Sequence, residues 1–418
     1  MISTLSLKKI NNYYPILVIS LCASFLFYKF ILQIYPSIIT DQLMRELKLS
    51  GAGLGNLAAT FYYSYIVTQL LVGILLDKFS TRWLTSAAIV CCAVGLILFS
   101  ESHTVLTEAL SRSLMGVGVA FATVSYMKLA AVWFSPKHYA FIGGLLATAA
   151  MSGAVFGEAP LNMLINEYGW RNCLYDIGFA GIVLAILFWM IVRDTPTMLV
   201  DRSTQKSNLT WQSLLQVIKN KQNWLLTIYS GLAFSPLAIF GGLWGNPFLQ
   251  QAYHLTKIQT SSLLSLIFIG LGIGSPLLGM LADYLGKRQL IMLVSTLASC
   301  IALLAVLYIQ PMPSTLLGVL LFIFGFGLGA FMLVFTIGKE INHISLTATV
   351  IAMINTSDAI LDSISEPGIG KLLDLTADQT IVNGVRHFSL HSYHMVLSIL
   401  PIYLLIACVL LFWVKDRK

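Results

Sequence analysis

The chain has 418 residues, of which 57% are hydrophobic and only 10% charged, with a mean hydropathy of +0.82. Ordinary soluble proteins carry about 25% charged residues, so this composition excludes a soluble enzyme, a disordered chain and a nucleic-acid-binding domain. It supplies about a dozen membrane spans at about 20 residues each, and the net charge of +7 is the Lys/Arg excess expected of cytoplasmic loops.

Lys8 and Lys9 precede an apolar stretch at 14–39. It is too long for a signal-peptide core and no small-residue cleavage site follows, so it is expected to remain as the first span. Further apolar windows fall at about 53–76, 83–100, 105–131, 140–165, 173–192, 224–248, 259–282, 289–309, 315–338, 347–370 and 395–414. These twelve windows predict an all-α membrane protein of twelve transmembrane helices. The longest connection splits the chain into a six-helix bundle (1–192), a central loop (193–222) and a second six-helix bundle (223–418). With the N-terminus inside, sixteen Lys/Arg fall in inner loops against six in outer ones, which places both termini and the central loop in the cytoplasm. In that loop Trp211, Leu214, Leu215 and Ile218 follow a helical stripe flanked by Lys219 and Lys221, the pattern of a short amphipathic helix on the membrane surface. The six cysteines lie in or beside apolar runs without CxxC spacing, which argues against a zinc site or a disulfide framework.

Two segments repeat across the halves: Gly73-Ile74-Leu75-Leu76-Asp77-Lys78-Phe79-Ser80-Thr81-Arg82 and Gly279-Met280-Leu281-Ala282-Asp283-Tyr284-Leu285-Gly286-Lys287-Arg288. Each places Gly, three residues and Asp at the cytoplasmic end of a span, followed by a basic turn. They resemble motif A of the major facilitator superfamily, after spans 2 and 8. The second copy is the fuller; the first has Ser80 where the family usually has Gly, and Trp83 where it often has a second basic residue. Arg112-x-x-x-Gly116-x-Gly118 in span 4 resembles motif B, and Gly169-Trp170-Arg171 sits before span 6 as in many members. The resemblance covers the whole chain. It implies two pseudo-symmetric halves that alternate access to a midplane site, with spans 3, 6, 9 and 12 as outer scaffold. It also implies a cytoplasmic latch of Gly73, Asp77, Arg82, Gly279, Asp283, Lys287 and Arg288 that favours the outward-open state, its glycines letting spans 2 and 11 (or 8 and 5) approach closely. Gly144, Gly153 and Gly157 in span 5 are spaced as in motif C of exporters, but Glu158 stands where Pro is expected, which weakens an efflux assignment. Tyr28-Lys29-Phe30 followed by Gln33 and Tyr35-Pro36-Ser37 is similar to a bacterial group of this superfamily and to its lysosomal dipeptide-transporter branch.

Charges within apolar windows are costly and usually face a cavity or a partner. Here they are Lys29 in span 1, Arg112 and Lys128 in span 4, Glu158 in span 5, and Asp358, Asp362 and Glu366 in span 11. Asn355, Asp358, Asp362 and Glu366 share one helix face, so either basic partners compensate or one carboxyl holds a proton. Glu366, beside Pro367 near the outer end, has solvation as the simple alternative, and Lys128 is expected to snorkel to the inner surface. The substrate- and proton-binding candidates are Lys29, Arg112, Glu158, Asn355, Asp358 and Asp362. Tyr62, Tyr63, Tyr65 and Trp244 are candidate cavity aromatics, with interface belts and core packing as the alternatives. His387, His391 and His394 read as solvated loop residues rather than a metal site.

No P-loop pattern is present in the sequence, so a secondary transporter is expected, without cofactor or metal and not an enzyme. The favoured reading is proton-coupled uptake of a small organic solute such as an amino acid or short peptide. The alternatives are a polycarboxylate or siderophore importer, with Lys29 and Arg112 as an anion clamp, and a drug or metabolite efflux antiporter. The expected partners are that small-molecule substrate, protons and the lipid bilayer of a cell inner membrane, with the monomer as the working unit and no nucleic acid.

Overall fold

The protein is represented by a computed structural model that describes residues 13–134, 136–194, 216–342, 347–376, 381–382, 385–386 and 388–414. With no water to satisfy N–H and C=O groups in a bilayer core, apolar runs of this length close their hydrogen bonds internally as helices. Twelve spans result. Span 1 is Tyr14–Ile34 continued by a 3₁₀ turn at Tyr35–Ile38; span 2 is Gly51–Lys78, span 3 Thr81–Glu101 and span 4 Val105–Trp133. Span 5 is broken into Pro136–Phe156 and Ala159–Tyr168, and span 6 is Trp170–Ile191. Span 7 runs Lys221–Ile239, through a π-helical turn at Phe240–Trp244, to Gly245–Tyr253. Span 8 is Lys257–Leu285 and span 9 Arg288–Tyr308. Span 10 comprises Ser314–Leu328, Gly329–Met332 and Leu333–Ile341; span 11 is Thr347–Thr376 and span 12 is Leu390–Leu397 with Ile399–Leu411. Among the described residues, nine of the twelve are long and apolar enough to cross a membrane by length and composition alone; the other three are spans 2, 5 and 11. One two-residue antiparallel pair, Ile381–Val382 with Val385–Arg386, lies between spans 11 and 12.

Local chemistry sets the helix ends. Ser50, Thr104 and Thr256 cap spans 2, 4 and 8 through their hydroxyls, Thr256 with Gln259 as a full capping box. Gly169, at φ +81° and ψ 149°, turns span 5 into span 6 in a backbone region that only glycine enters cheaply. Within the described residues the central loop shows one helical turn at 216–219, with Ile218 half exposed. Trp211, Leu214 and Leu215 lie outside them.

Two lateral seams join the halves, span 2 against span 11 and span 5 against span 8. Along the first, a Cβ at Gly55 would stand 2.3 Å from the Glu366 carbonyl oxygen. Within the first half, a Cβ at Gly153 would meet the Phe27 carbonyl at 2.2 Å, so spans 1 and 5 touch backbone to backbone as small residues allow. The outer helices present Leu98, Phe179, Ile301 and Val409 outward, the surface that lipid covers. The face carrying Tyr13 and Val414 is called the terminal face below, and the other the opposite face.

Candidate substrate site and gates

Lys29 is 8% exposed, on the inner side of span 1. Its ammonium lies 5.1 Å from the ring centre of Tyr65 and 5.5 Å from that of Phe30 and makes no hydrogen bond or ion pair among the described residues. Tyr65 accepts a 3.1 Å hydrogen bond at its hydroxyl from the Asn355 amide, which ties span 2 to span 11 beside the lysine. One turn further along span 11, the Asp358 Oδ1 accepts from Ser230 at 3.0 Å and Ser357 at 3.3 Å. Its charge and that of Lys29 attract one another without an N···O contact inside 4.0 Å. Lys29, Tyr65, Asn355, Asp358 and Ser230 thus meet from both halves, as a midplane site requires. Asp362 is 1% exposed and its Oδ1 has no hydrogen-bond partner. Glu366 is 3% exposed with Oε2 unpartnered, which overturns its reading as a solvated end residue: span 2 covers it, because Gly55 brings that helix against its backbone.

Arg112 has a different setting. Its Nη1 donates to the Leu32 carbonyl at 2.7 Å and its Nη2 to the Ala58 carbonyl at 3.2 Å, and the guanidinium stacks on Phe61 at 4.7 Å and Tyr35 at 5.5 Å. The side chain joins spans 1, 2 and 4 and spends two of its donor groups on backbone. Lys128 likewise donates to the Leu76 carbonyl of span 2.

Glu158 lies elsewhere, in the break of span 5, where Pro160 opens a new helix. It is fully buried. Its Oε1 accepts from Ser37 at 2.9 Å and its Oε2 from the Asn246 amide at 3.1 Å; that amide also reaches Ser37 at 3.2 Å. Asn162 donates to Ser261 at 2.8 Å and to the Lys257 carbonyl at 2.9 Å, and Ser261 donates to the Asn246 Oδ1 at 3.3 Å. Spans 1 and 5 are thereby stitched to spans 7 and 8. On the rim, the Lys257 ammonium pairs with Asp41 at 2.8 Å. On the other seam, both carboxylate oxygens of Asp374 in span 11 accept from the first two N–H groups of span 2, Gly51 and Ala52, each at 2.8 Å, a cap supplied from the opposite half. Every hydrogen bond or ion pair between the halves, among the described residues, lies at the Tyr65–Asn355 level or nearer the opposite face. That face is shut.

Among the described residues, those of motif A on the terminal face make no such contacts. A Cβ at Gly73 or Gly279 would meet nothing within 4 Å, so neither glycine stands at a close helix approach in this conformation. Arg82 stays within its own half, donating from Nε to the Trp189 carbonyl at 2.5 Å and stacking on that ring at 4.9 Å. Arg288 bridges Asp283 at 3.1 Å and Glu340 at 2.5 Å. Lys287 is exposed, and the Asp77 side chain lies outside the described residues. Among the described residues, no hydrogen bond or ion pair joins the halves at this end.

Residues 17–365 match the sequence profile of the Major Facilitator Superfamily. The chain belongs to that superfamily. Among other superfamily proteins, it is 29% identical over 153 residues to "Uncharacterized transporter YybO" of Bacillus subtilis, covering 37% of this chain and 35% of that protein. It is 24% identical over 263 residues to "Probable L-galactonate transporter" of Escherichia coli, covering 60% and 58%. The match thus spans about a third to three-fifths of these relatives' own length. A solved bacterial homologue of the human lysosomal transporter Spinster, inward-facing and unoccupied, superposes with a TM-score of 0.80 at 16% identity over 98% of this chain and 99% of that one. The nucleoside transporter NupG superposes with a TM-score of 0.71 at 16% identity, covering 96% and 100%. The superfamily fold, twelve membrane helices in two halves, is therefore the fold of this chain.

Sequence reasoning found the charged members of the site because charge stands out in an apolar window. It passed over Ser37, Asn162, Asn246, Ser261 and Ser230, which are common and cheap in helices, and Asp374, which lies beyond the apolar window of span 11. Tyr65 and the fully buried Trp244 are interior, whereas Tyr63 is 43% exposed and fits the lipid-facing alternative. His391 is exposed on span 12, His394 stacks on Tyr308 at 5.1 Å, and His387 lies outside the described residues. No group of three metal-binding side chains occurs among those described.

Proposed function

We propose that this protein is an alternating-access secondary transporter that moves a small carboxylate-bearing solute across a cell inner membrane, coupled to protons. The observation that carries the reading is Lys29, a buried ammonium with aromatic neighbours and no ion-pair partner among the described residues. An unpaired charge at this depth is costly, and an anionic substrate group repays that cost on binding. Asp358 and the hydroxyls and amide of Ser230, Tyr65 and Asn355 then face the other end of the solute. An ammonium there suits an amino acid or short peptide; hydroxyls suit a sugar acid. The Escherichia coli relative, named a probable L-galactonate transporter, supports the carboxylate through the sugar-acid case.

The halves at 1–192 and 223–418, tethered by 193–222, rock about this site. With the terminal face cytoplasmic, as the Lys/Arg asymmetry supports, the conformation described is the inward-open one. Asp362, buried without a cation or a donor on Oδ1, is the proton carrier: a proton is the cheapest way to hold a carboxyl there, and exposure to the opposite compartment lets it exchange. The monomer contains the whole cycle.

The test is a thermal-shift screen of purified protein against gluconate-type sugar acids, amino acids, dipeptides and tricarboxylates, followed by counterflow in proteoliposomes. A binder stabilises the folded state by mass action. A carboxylate that shifts the wild type but not Lys29→Gln is expected. Stabilisation only by neutral or cationic solutes, equal in both proteins, would remove Lys29 from the site.

A further inference from the structure

A cavity of about 220 Å³ opens at the opposite face, outside the Glu158–Asn246 stitching. That is room for several waters at about 30 Å³ each, or for one small organic group. Trp244, Phe388 and Tyr393 line it, with Asp41 and Thr40 from the segment after span 1 and Gln251 from span 7. The aromatic rings pack edge to face, Trp244 on Phe388 at 6.5 Å and Phe388 on Tyr393 at 5.9 Å. Each of the three is at most 4% exposed. Asp41 is the charged residue in the lining, and its Oδ2 is held by Lys257 from the other half at 2.8 Å.

Three aromatic rings and one carboxylate in the lining favour a cation over an anion. We propose that this cavity is a second ligand site, one that binds an organic ammonium group from the opposite face. The ammonium lies among the Trp244, Phe388 and Tyr393 rings and pairs with Asp41, in competition with the Lys257 ammonium. Because the Lys257–Asp41 pair crosses between the halves, an occupant that takes Asp41 also removes one tie of the closed face. The site stands apart from Lys29 and from whichever solute Lys29 binds.

Choline is the probe, titrated calorimetrically into purified full-length protein, with sodium gluconate as the anionic competitor. The expected result is saturable choline binding, weakened about tenfold or more in Asp41→Asn and several-fold in Phe388→Leu. Lys257→Gln, which removes the competitor, should bind several-fold more tightly. A merely structural role for the Asp41–Lys257 pair would weaken binding in both charge variants alike. Absence of saturable choline binding, unchanged affinity in Asp41→Asn, weaker binding in Lys257→Gln, or displacement of choline by gluconate would each overturn the assignment.

Discussion

Among the described residues no carboxylate forms an ion pair with Lys29, yet the fold buries it. Replacing a buried ionic group with an apolar one of similar size is often neutral or stabilising by about 1–4 kcal/mol. Lys29→Met should therefore unfold at the wild-type temperature or above it, while losing the carboxylate solute about tenfold to a hundredfold, the worth of a charged hydrogen bond of about 1.5–3 kcal/mol. Thermal midpoints and solute-binding titrations read the two effects separately; a large drop in midpoint with unchanged affinity would mark Lys29 as structural. Span 11 divides its acids by setting. Asp358 accepts two hydroxyls and faces Lys29, so Asp358→Asn should weaken solute binding. Asp362 lacks such donors on Oδ1, so Asp362→Asn should abolish accumulation driven by a pH gradient and keep solute counterflow. Normal gradient-driven accumulation in Asp362→Asn would exclude it as the proton carrier.

At the scale of the element, spans 1, 5 and 7 are each interrupted near the opposite face, at Tyr35–Ile38, Glu158 and Phe240–Trp244. Irregular turns inside long helices commonly mark functional positions, and here they bring Ser37, Glu158 and Asn246 together. Asn246→Ala removes two inter-half hydrogen bonds and leaves Glu158 with Ser37 as its donor. At about 1–3 kcal/mol for an unsatisfied buried polar group, the closed face should open in a sizeable fraction of molecules. Pulsed EPR between spin labels at Glu167 and Gln259, on the facing ends of spans 5 and 8, should show a longer-distance population. A distribution identical to the parent's would refute this gate. The charged Glu158 was legible in the sequence. Its partners were not, because a serine or asparagine in a membrane helix is ordinary until a helix from the other half arrives opposite it.

Over the whole molecule the described arginines of the two motif A copies bond within their own halves. Arg82 holds span 6 and Arg288 holds span 10, and among the described residues Asp283, 68% exposed, pairs with Arg288 alone. Exposed pairs contribute about 0–1 kcal/mol, so Asp283→Asn should leave the stability of the state described here nearly unchanged. Because the resemblance gives motif A its work in the other state, the same change should slow transport and raise the labelling of introduced cysteines on the terminal face. Wild-type transport with wild-type labelling would show that the motif does not latch that face.

The sequence by itself determined the membrane setting, the twelve helices and the two halves, because apolar length and Lys/Arg asymmetry act locally and need no partner to be read. It also singled out Lys29, Glu158, Asp358 and Asp362, since charge in an apolar window is expensive wherever the helix packs. Only the tertiary structure decided which of these charges are spent and which remain available. Arg112 gives its donors to the Leu32 and Ala58 carbonyls, Glu366 is covered by span 2, and Lys29 is left to two rings. It also decided that Asp374 caps a helix of the other half and that the motif A glycines face open space. Those outcomes depend on which helix lies opposite and on which face the halves have closed. Close backbone approaches at residues such as Gly55 and Gly153 settle the first, and the inter-half hydrogen bonds settle the second.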